Sequence, residues 1–288
     1  MIYASPVPNR NRACILNSTH LITLGKMKKI LLLVLCFSYY HVTSQEIAAQ
    51  LRSTIPLEAE VFVGIDEFQN LYYLNNNILY KKTKDNIFSY SNISLGKITM
   101  VNIQNPFKLI LFFADFNAVI ILDNNLNELT ETIDFTRETL FNNVKFVSGS
   151  SQNNIWLYAD DNKLHLYDYQ NLSEQTQTQP ITFYEEQFIP KTMISTYKNV
   201  WVLSDSGVFQ FNEYGIFIDS VEMTGIDFIF PFQKGFVFAE ASSFYYQNGK
   251  ERHPIILIHD YLIKDISVNN TSISLYDGQY VYQYELKI

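Results

Sequence analysis

Three histidines lie beyond residue 44: His165, His253 and His259. Imidazole is the side chain best matched to proton transfer or metal ligation near neutral pH, so each is a candidate base or ligand. His165 alternates with Leu164 and Leu166 in an apolar strand pattern and must point away from them. It is expected at a surface or edge, as are His253, ahead of Pro254, and His259, ahead of Asp260. Adjacent strand residues face opposite ways, so His259 and Asp260 do not make a dyad by adjacency. Carboxylates are paired at Asp66-Glu67, Asp160-Asp161 and Glu185-Glu186. Glycosidase or lyase chemistry needs two acids facing each other across roughly 5–10 Å, which neighbours in a strand cannot do. A working pair would have to be assembled from distant parts of the chain. No nucleophile elbow, zinc-protease helix motif or phosphate loop is present.

Asp123, Asn125, Asn127 and Asp134 fall at the first, third, fifth and twelfth positions of a calcium-loop spacing. The sixth position, where such a loop turns on glycine, is Glu128, and no helices flank the segment; a hairpin turn is the expectation. Sequons at Asn92, Asn171 and Asn270 matter only in a eukaryotic source. The sequence nominates no catalytic, cofactor-binding or metal-ligating residue, and no cofactor.

The N-terminus carries its own signals. Lys26, Lys28 and Lys29 precede the eleven-residue apolar run Ile30 to Tyr40. That run is short of the ~20 residues that span a bilayer and suits a signal-peptide core, with Val42 and Ser44 placed for cleavage before Gln45. Met27 is then the expected start, and a retained signal-anchor is the alternative. A lipobox ending at Cys36 would have Leu35 where a small residue is wanted. Removing residues 1–44 takes five basic residues and no acid, leaving 16 basic against 29 acidic residues and a net charge of −13. So acidic a surface repels nucleic acid and anionic lipid. Cys14 and Cys36 both lie in the leader, so the mature chain has no disulfide, thiol nucleophile or thiolate metal site.

Residues 45–288 repeat. An apolar strand runs into an acidic or amide turn, and a second strand ends in an aromatic. The turns are marked by Asn75, Asp115, Asp160, Asp205, Glu240 and Asp277, spaced 40, 45, 45, 35 and 37 residues apart. A period near 40 with several short strands per unit is the mark of a propeller blade. The 15% aromatic content, with 20 Tyr and 22 Phe, is strand-forming and core-forming material. Asn runs such as Asn75-Asn76-Asn77 suit turns that visit positive φ. In the first unit the expected strands are Val61 to Ile65, Leu71 to Leu74, Ile78 to Lys82 and Phe88 to Ser91. The last unit ends straight after its third strand, so Arg52 to Leu57 is expected to supply its outer strand and cover the open edge. Ser173 to Pro180 reads as a solvated loop or edge. The turn residues are expected to cap their own turns; a ring of carboxylates binding cations or sugars is the alternative.

Two units carry a fuller signature, Asn154-Ile-Trp-Leu-Tyr-Ala-Asp160 through Asp168 and Asn199-Val-Trp-Val-Leu-Ser-Asp-Ser-Gly207 through Gly215. They resemble blades of the two-component-regulator propeller family, approximately Asn-x-Ile-Trp-x-x-Thr-x-x-Gly-Leu-x-x-x-Asp. The pattern is also similar to the quinoprotein-like blades of outer-membrane assembly lipoproteins. The quinone-docking tryptophans and Thr-Gly-Lys element of true quinoproteins are missing, so no quinone is implied. The Ser-Gln leader ending and the Asn/Ile/Lys/Phe/Tyr bias resemble exported proteins of Bacteroidota, and Asp219-Ser220-Val221 resembles their short O-glycosylation motif.

The expectation is therefore an all-β chain. Residues 1–44 are an over-extended start plus signal peptide. Residues 45–288 form a single β-propeller of about six four-stranded antiparallel blades, closed by its N-terminal strand. Its expected role is a non-catalytic, monomeric scaffold in the periplasm or at the cell surface. The expected partner is an envelope or secretion-machinery protein, without nucleic acid and without membrane insertion after cleavage. A carbohydrate-binding or carbohydrate-active propeller is the alternative.

Overall fold

Strands that are apolar on both faces, such as the Leu-Ile-Leu-Phe-Phe run at 109–113 and Ala-Val-Ile-Ile-Leu at 118–122, need a covering layer on each side. Packing sheets face to face around a ring meets that need. The computed structural model describes residues 46–138, 143–241, 243–259 and 261–287. The leader, with its proposed cleavage site and both cysteines, lies outside the described residues, as does Asp260.

Among the described residues, 24 strands form six four-stranded antiparallel meanders. Blade 1 comprises β2 (Val61–Ile65), β3 (Leu71–Asn75), β4 (Ile78–Lys82) and β5 (Ile87–Tyr90). Blade 2 comprises β6 (Met100–Asn102), β7 (Leu109–Phe113), β8 (Ala118–Leu122) and the two-residue β9 (Ile133–Asp134). Blade 3 is β10 (Val144–Gly149), β11 (Asn154–Ala159), β12 (Leu164–Asp168) and β13 (Ser173–Gln177). Blade 4 is β14 (Pro190–Ser195), β15 (Asn199–Ser204), β16 (Gly207–Asn212) and β17 (Phe217–Glu222). Blade 5 is β18 (Ile229–Phe232), β19 (Gly235–Glu240), β20 (Ser243–Asn248) and β21 (Glu251–Ile256). Blade 6 is β22 (Asp265–Val268), β23 (Ser272–Tyr276) and β24 (Tyr280–Lys287), completed by β1 (Ile47–Pro56) from the other end of the chain.

That closure is longer than the expected Arg52 to Leu57. β1 pairs antiparallel with β24 from Ala48 opposite Lys287 to Pro56 opposite Tyr280, with a register irregularity between Leu51 and Ser53. Arg52 forms an ion pair with Glu285, and Ser53 Oγ donates to Gln283 Oε1 at 3.2 Å. Ile47 and Ala48 also pair in parallel with Ile255 and Ile256 of β21. Blades 5 and 6 thereby share one eight-stranded sheet. The segment 173–180, expected as a loop or edge, supplies edge strand β13.

Each junction between blades has its own apolar layer. Tyr72 of β3 packs against Leu109 and Leu111 of blade 2. Trp156 of β11 meets Val200, Phe209 and Phe211 of blade 4, and Trp201 of β15 occupies the corresponding place against Ile229, Phe236 and Phe238 of blade 5. The two tryptophans that define the sequence signature are thus interblade packing residues. Leu57, Phe62 and Tyr276 close the ring between blades 6 and 1. Fully burying one such side chain contributes roughly 1.5–3 kcal/mol.

Near the axis the inner strands approach closely because their side chains are small. A β-carbon on Gly64, whose φ is +154°, would lie 2.3 Å from Ser267 Oγ of blade 6. Ser195 Oγ donates to Ser148 Oγ at 2.7 Å, and Asn102 Nδ2 contacts the same oxygen at 3.4 Å. Turns behave as their composition predicts: Asn76, Asn77, Asn117 and Asn162 all take positive φ.

Two buried amines bridge blades. Lys81 Nζ reaches from β4 to Asn124 O of blade 2 at 2.7 Å and lies 5.5 Å from the centre of the Tyr72 ring. Lys108 Nζ, in the β6–β7 turn, donates to Ser150 O and Gln152 O at 2.8 Å each and to Asn154 O at 3.2 Å in blade 3. Burial pushes the Lys108 amine down to about 8, yet three carbonyl acceptors call for three donors, which only the ammonium has.

Two outcomes are expected. Lys108→Met strips the buried Ser150 carbonyl of its side-chain donor and destabilises the fold by about 2 kcal/mol, measurable by urea unfolding. A chain lacking residues 46–57 bares the β24 edge and runs as aggregates in size-exclusion chromatography; adding the 46–57 peptide in trans restores a monomeric, cooperatively melting species.

Candidate functional site

In an antiparallel meander the turn between second and third strands and the connection into the next blade fall on one side of the disc. The other turns fall on the opposite side. All six acidic or amide turn residues therefore share one face with the interblade connections, and four of them are engaged by neighbouring groups. Asn75 Oδ1 accepts from Glu60 N–H at 2.7 Å, and Asp205 pairs with Lys191 at 2.7 Å. Glu240 binds Arg252. Asp277 Oδ1 accepts from the backbone N–H of Gln279 and Tyr280 at 2.7 Å each, and its Oδ2 accepts from Tyr282 at 3.1 Å.

The calcium-like spacing resolves as a hairpin between β8 and β9. Asp123 Oδ1 accepts from Asn125 and Asn127 N–H at 2.7 and 2.8 Å, while Asp134 turns to Thr136 N–H at 3.0 Å and to Arg137. Asp66 is engaged likewise, accepting from Phe68 and Asn70 N–H and from the Tyr72 hydroxyl at 2.9 Å. Among the described residues no three His, Cys, Asp or Glu side chains converge as a metal site.

The histidines part company. His165 is not at the surface: it is 1% exposed. Its Nε2 lies 3.0 Å from Asp161 Oδ1 and its Nδ1 3.5 Å from Glu174 Oε1. Alternation turned it away from the leucines, but in a third strand both faces are covered by neighbouring blades, so that direction is also interior. His253 is half-buried and stacks on Tyr246 with ring centres 6.1 Å apart. His259 lines the principal cleft.

This cleft, about 460 Å³, opens between blades 5 and 6 on the face of the interblade connections. One wall is Phe228 and Phe230, entering β18, with Ala239 and Ala241 at the end of β19. The other is the connection His259, Tyr261, Leu262 and Ile263. Phe228 and Phe230 have ring centres 5.7 Å apart, and His259 bridges Phe244 at 6.3 Å and Tyr261 at 5.4 Å. His259 Nδ1 is 3.2 Å from Tyr261 O, which fits an Nδ1–H donor. Tyr261 is locked from behind: it stacks on Tyr282 at 4.0 Å and its hydroxyl meets that of Tyr284 at 2.9 Å, which in turn donates to Ile258 O at 3.1 Å. Burial, then this hydrogen bond, raises the Tyr261 hydroxyl well above its ordinary value, so it stays neutral.

Lys264 gives the cleft its aliphatic stem, because its amine is drawn to Ala59 O at 3.3 Å and over the Tyr276 ring. Asp265, also in the lining, accepts from Phe62 N–H at 3.0 Å. Among the described residues the lining contains no serine, threonine or cysteine. Beside the cleft its own connection bares Leu262, 89% exposed, and Ile258, 87%; on the same face the connections after blades 3 and 1 bare Phe183, 77%, and Ile93, 94%. The inner strands near the axis set Asn102 and Ser195 against Ser148, and Gly64 against Ser267.

The sequence reading expected His259 at a surface or edge and did not nominate the cleft around it. Its available signal was the run Ile255-Ile-Leu-Ile258 and Tyr261-Leu-Ile263, too apolar for a connection that only turns the chain.

No protein-family profile and no curated protein matches the sequence. Solved structures match in fold. A catalytically inactive variant of virginiamycin B lyase from Staphylococcus aureus, determined with quinupristin, superposes with a TM-score of 0.54 at 10% identity, covering 82% of this chain and 99% of that one. The Neurospora crassa Pan2 WD40 domain gives 0.52 at 12% identity over 80% and 76%. BBS1N, in complex with ARL6DN, gives 0.53 at 13% over 78% of each. At these identities the likeness establishes the β-propeller fold.

The Asx-type turns make a pH prediction. Partial burial opposes ionisation of Asp123, Asp168 and Asp277, but the hydrogen bonds they accept from local N–H donors outweigh it and hold all three below the ordinary 3.8. A depressed folded value contributes stability that is whole above the ordinary value and lost as pH falls through the depressed one. Asn accepts the same turn bonds without titrating. The triple Asp→Asn variant, lacking this ionisation-linked contribution, is therefore expected to melt below the parent at pH 7 and to lose less stability than the parent from about pH 4 downward, as followed by thermal melts.

Proposed function

We propose that the chain is an exported, non-catalytic β-propeller that binds another protein in the bacterial cell envelope, through the face that carries the interblade connections. The observation behind this reading is the apolar character of that face: an open aromatic cleft whose own connection bares Ile258 and Leu262, with Phe183 and Ile93 bared by other connections on the same face, all four more than three-quarters exposed. Exposed clusters of large apolar side chains mark interaction surfaces, and a rigid disc presents them without an ordering cost. Export rests on the basic-apolar leader, and envelope residence on the leader together with the likeness of the Trp156 and Trp201 units to envelope propeller blades. The absence of a helix long and apolar enough to cross a membrane, among the described residues, fits a partner-bound or free disc.

The test is site-specific photocrosslinking in native cells, with the probe at Phe183 or Ile258 on this face and at Phe107 or Tyr214 on the other. One recurrent envelope protein is expected from the first pair only. Crosslinks confined to the second pair, or none from any position, would overturn the reading.

A further inference from the structure

The cleft between blades 5 and 6 is walled by ring faces and methyl groups, those of Phe228, Phe230, Phe244, Tyr261, Ala239 and Ala241. Both charged residues of the lining are turned elsewhere. Lys264 Nζ donates to Ala59 O at 3.3 Å and Asp265 Oδ2 accepts from Phe62 N–H at 3.0 Å, each reaching toward blade 1. The Tyr261 hydroxyl is held by Tyr284 behind the wall. His259 is the polar side chain that remains. Its Nδ1 gives its hydrogen to Tyr261 O at 3.2 Å, so Nε2 of the neutral ring is an acceptor. Among the described residues that Nε2 has no partner.

A second observation concerns the Ala241 methyl. The turns between second and third strands in blades 1, 2, 3 and 6 place Asn76 and Asn77, Asn117, Asn162 and Gly278 at positive φ, where Asn and Gly are tolerated. In blade 5 the residue at positive φ is Ala241, at +53°, a conformation that alanine adopts less readily than Asn. Asn at this position would relax the turn and set an amide among the rings. The chain keeps a methyl there, and that methyl lines the cleft. The space, about 460 Å³, falls in the size range of small-ligand sites.

We infer that this cleft is a binding site for an uncharged, flat, largely apolar small molecule with one O–H or N–H donor, its body among the rings and its donor on His259 Nε2. The class follows from what the lining can satisfy. A carboxylate, phosphate or ammonium would leave water without a partner of opposite charge, and a sugar would leave most of its hydroxyls unpaired. The inference concerns the interior of the cleft alone and is independent of protein docking on Phe183 and Ile93 elsewhere on the face.

Four probes sharing one ring system test it, by equilibrium dialysis against the full chain at neutral pH. They are naphthol, with one donor; methoxynaphthalene, which keeps the oxygen and lacks the donor; naphthoate; and naphthylmethylammonium. Naphthol is expected to bind, methoxynaphthalene severalfold more weakly for want of the hydrogen bond, and both ions more than about tenfold more weakly. His259→Phe keeps an aromatic wall and should erase the difference between naphthol and methoxynaphthalene. Ala241→Asn should weaken naphthol severalfold without lowering the melting temperature, which separates loss of the site from loss of the fold. No naphthol binding at about 1 mM overturns the inference. So does an ion that binds as tightly as naphthol, a naphthol preference that survives His259→Phe, or full affinity in Ala241→Asn. An uncharged peptide with a Leu-Phe pair that binds more tightly than naphthol and displaces it would also overturn it, by assigning the cleft to a polypeptide side chain.

Discussion

A ring of sheets is stable only if its two chain ends meet, and here the meeting is a backbone ladder. β1 lies against β24 across more than 200 residues of sequence, and everything inside the ring depends on that pairing. Without it the outer edge of blade 6 exposes unpaired N–H and C=O groups, and the layer of Leu57, Phe62 and Tyr276 between blades 6 and 1 loses one wall. The chain reinforces the seam at several levels. Arg52 with Glu285 and Ser53 with Gln283 bind the strands, and Tyr276 accepts from Ala59 N–H at 2.9 Å just beyond them. The parallel contact of Ile47 and Ala48 with β21 extends the seam to blade 5. The two blades that flank the principal cleft are therefore the two held in one continuous sheet.

Around the rest of the ring the junctions share one design, with different side chains filling it. Tyr72, Trp156 and Trp201 take corresponding second-strand positions and each packs on the following blade. Where a junction also carries polar groups, they are used as bridges. Lys81 and Lys108 cross to the next blade and end on carbonyl oxygens, which holds a buried cation by satisfying it. Near the axis, Gly64, Ser148, Ser195 and Ser267 let the inner strands close in where a ring has least room.

The two faces of the disc then differ for a topological reason. Apart from the stretch between β8 and β9, turns within a blade are short, whereas each connection from an outer strand to the next inner strand must travel the radius of the disc. The latter all fall on one face, and the long ones bring Phe183, Ile189, Phe228, Ile258 and Leu262 to solvent. The cleft forms where two such connections, before β18 and before β22, stand apart above a shared sheet. Tyr261 is stiffened from below by Tyr282 and Tyr284, so the binding wall is built into the core of blade 6.

Local chemistry by itself determined much of this protein. Alternating and continuous apolar runs defined the strands, the period near 40 defined the blades, and Asn76, Asn77 and Asn162 turn where side chains tolerant of positive φ are needed. The closing strand was legible too, because a final unit one strand short must borrow one; its full reach from Ile47, and its contact with blade 5, were not, since register and parallel pairing depend on geometry between distant segments. His165 shows the same boundary. Alternation fixed that it faces away from Leu164 and Leu166, but whether that direction is water or a neighbouring blade is decided by what stacks there. The cleft lies furthest from sequence, because Phe228, Ala239 and Tyr261 come from three separate elements and its space is what remains between them. A sequence specifies what each segment can bury, and only the assembled ring decides which surfaces are left uncovered.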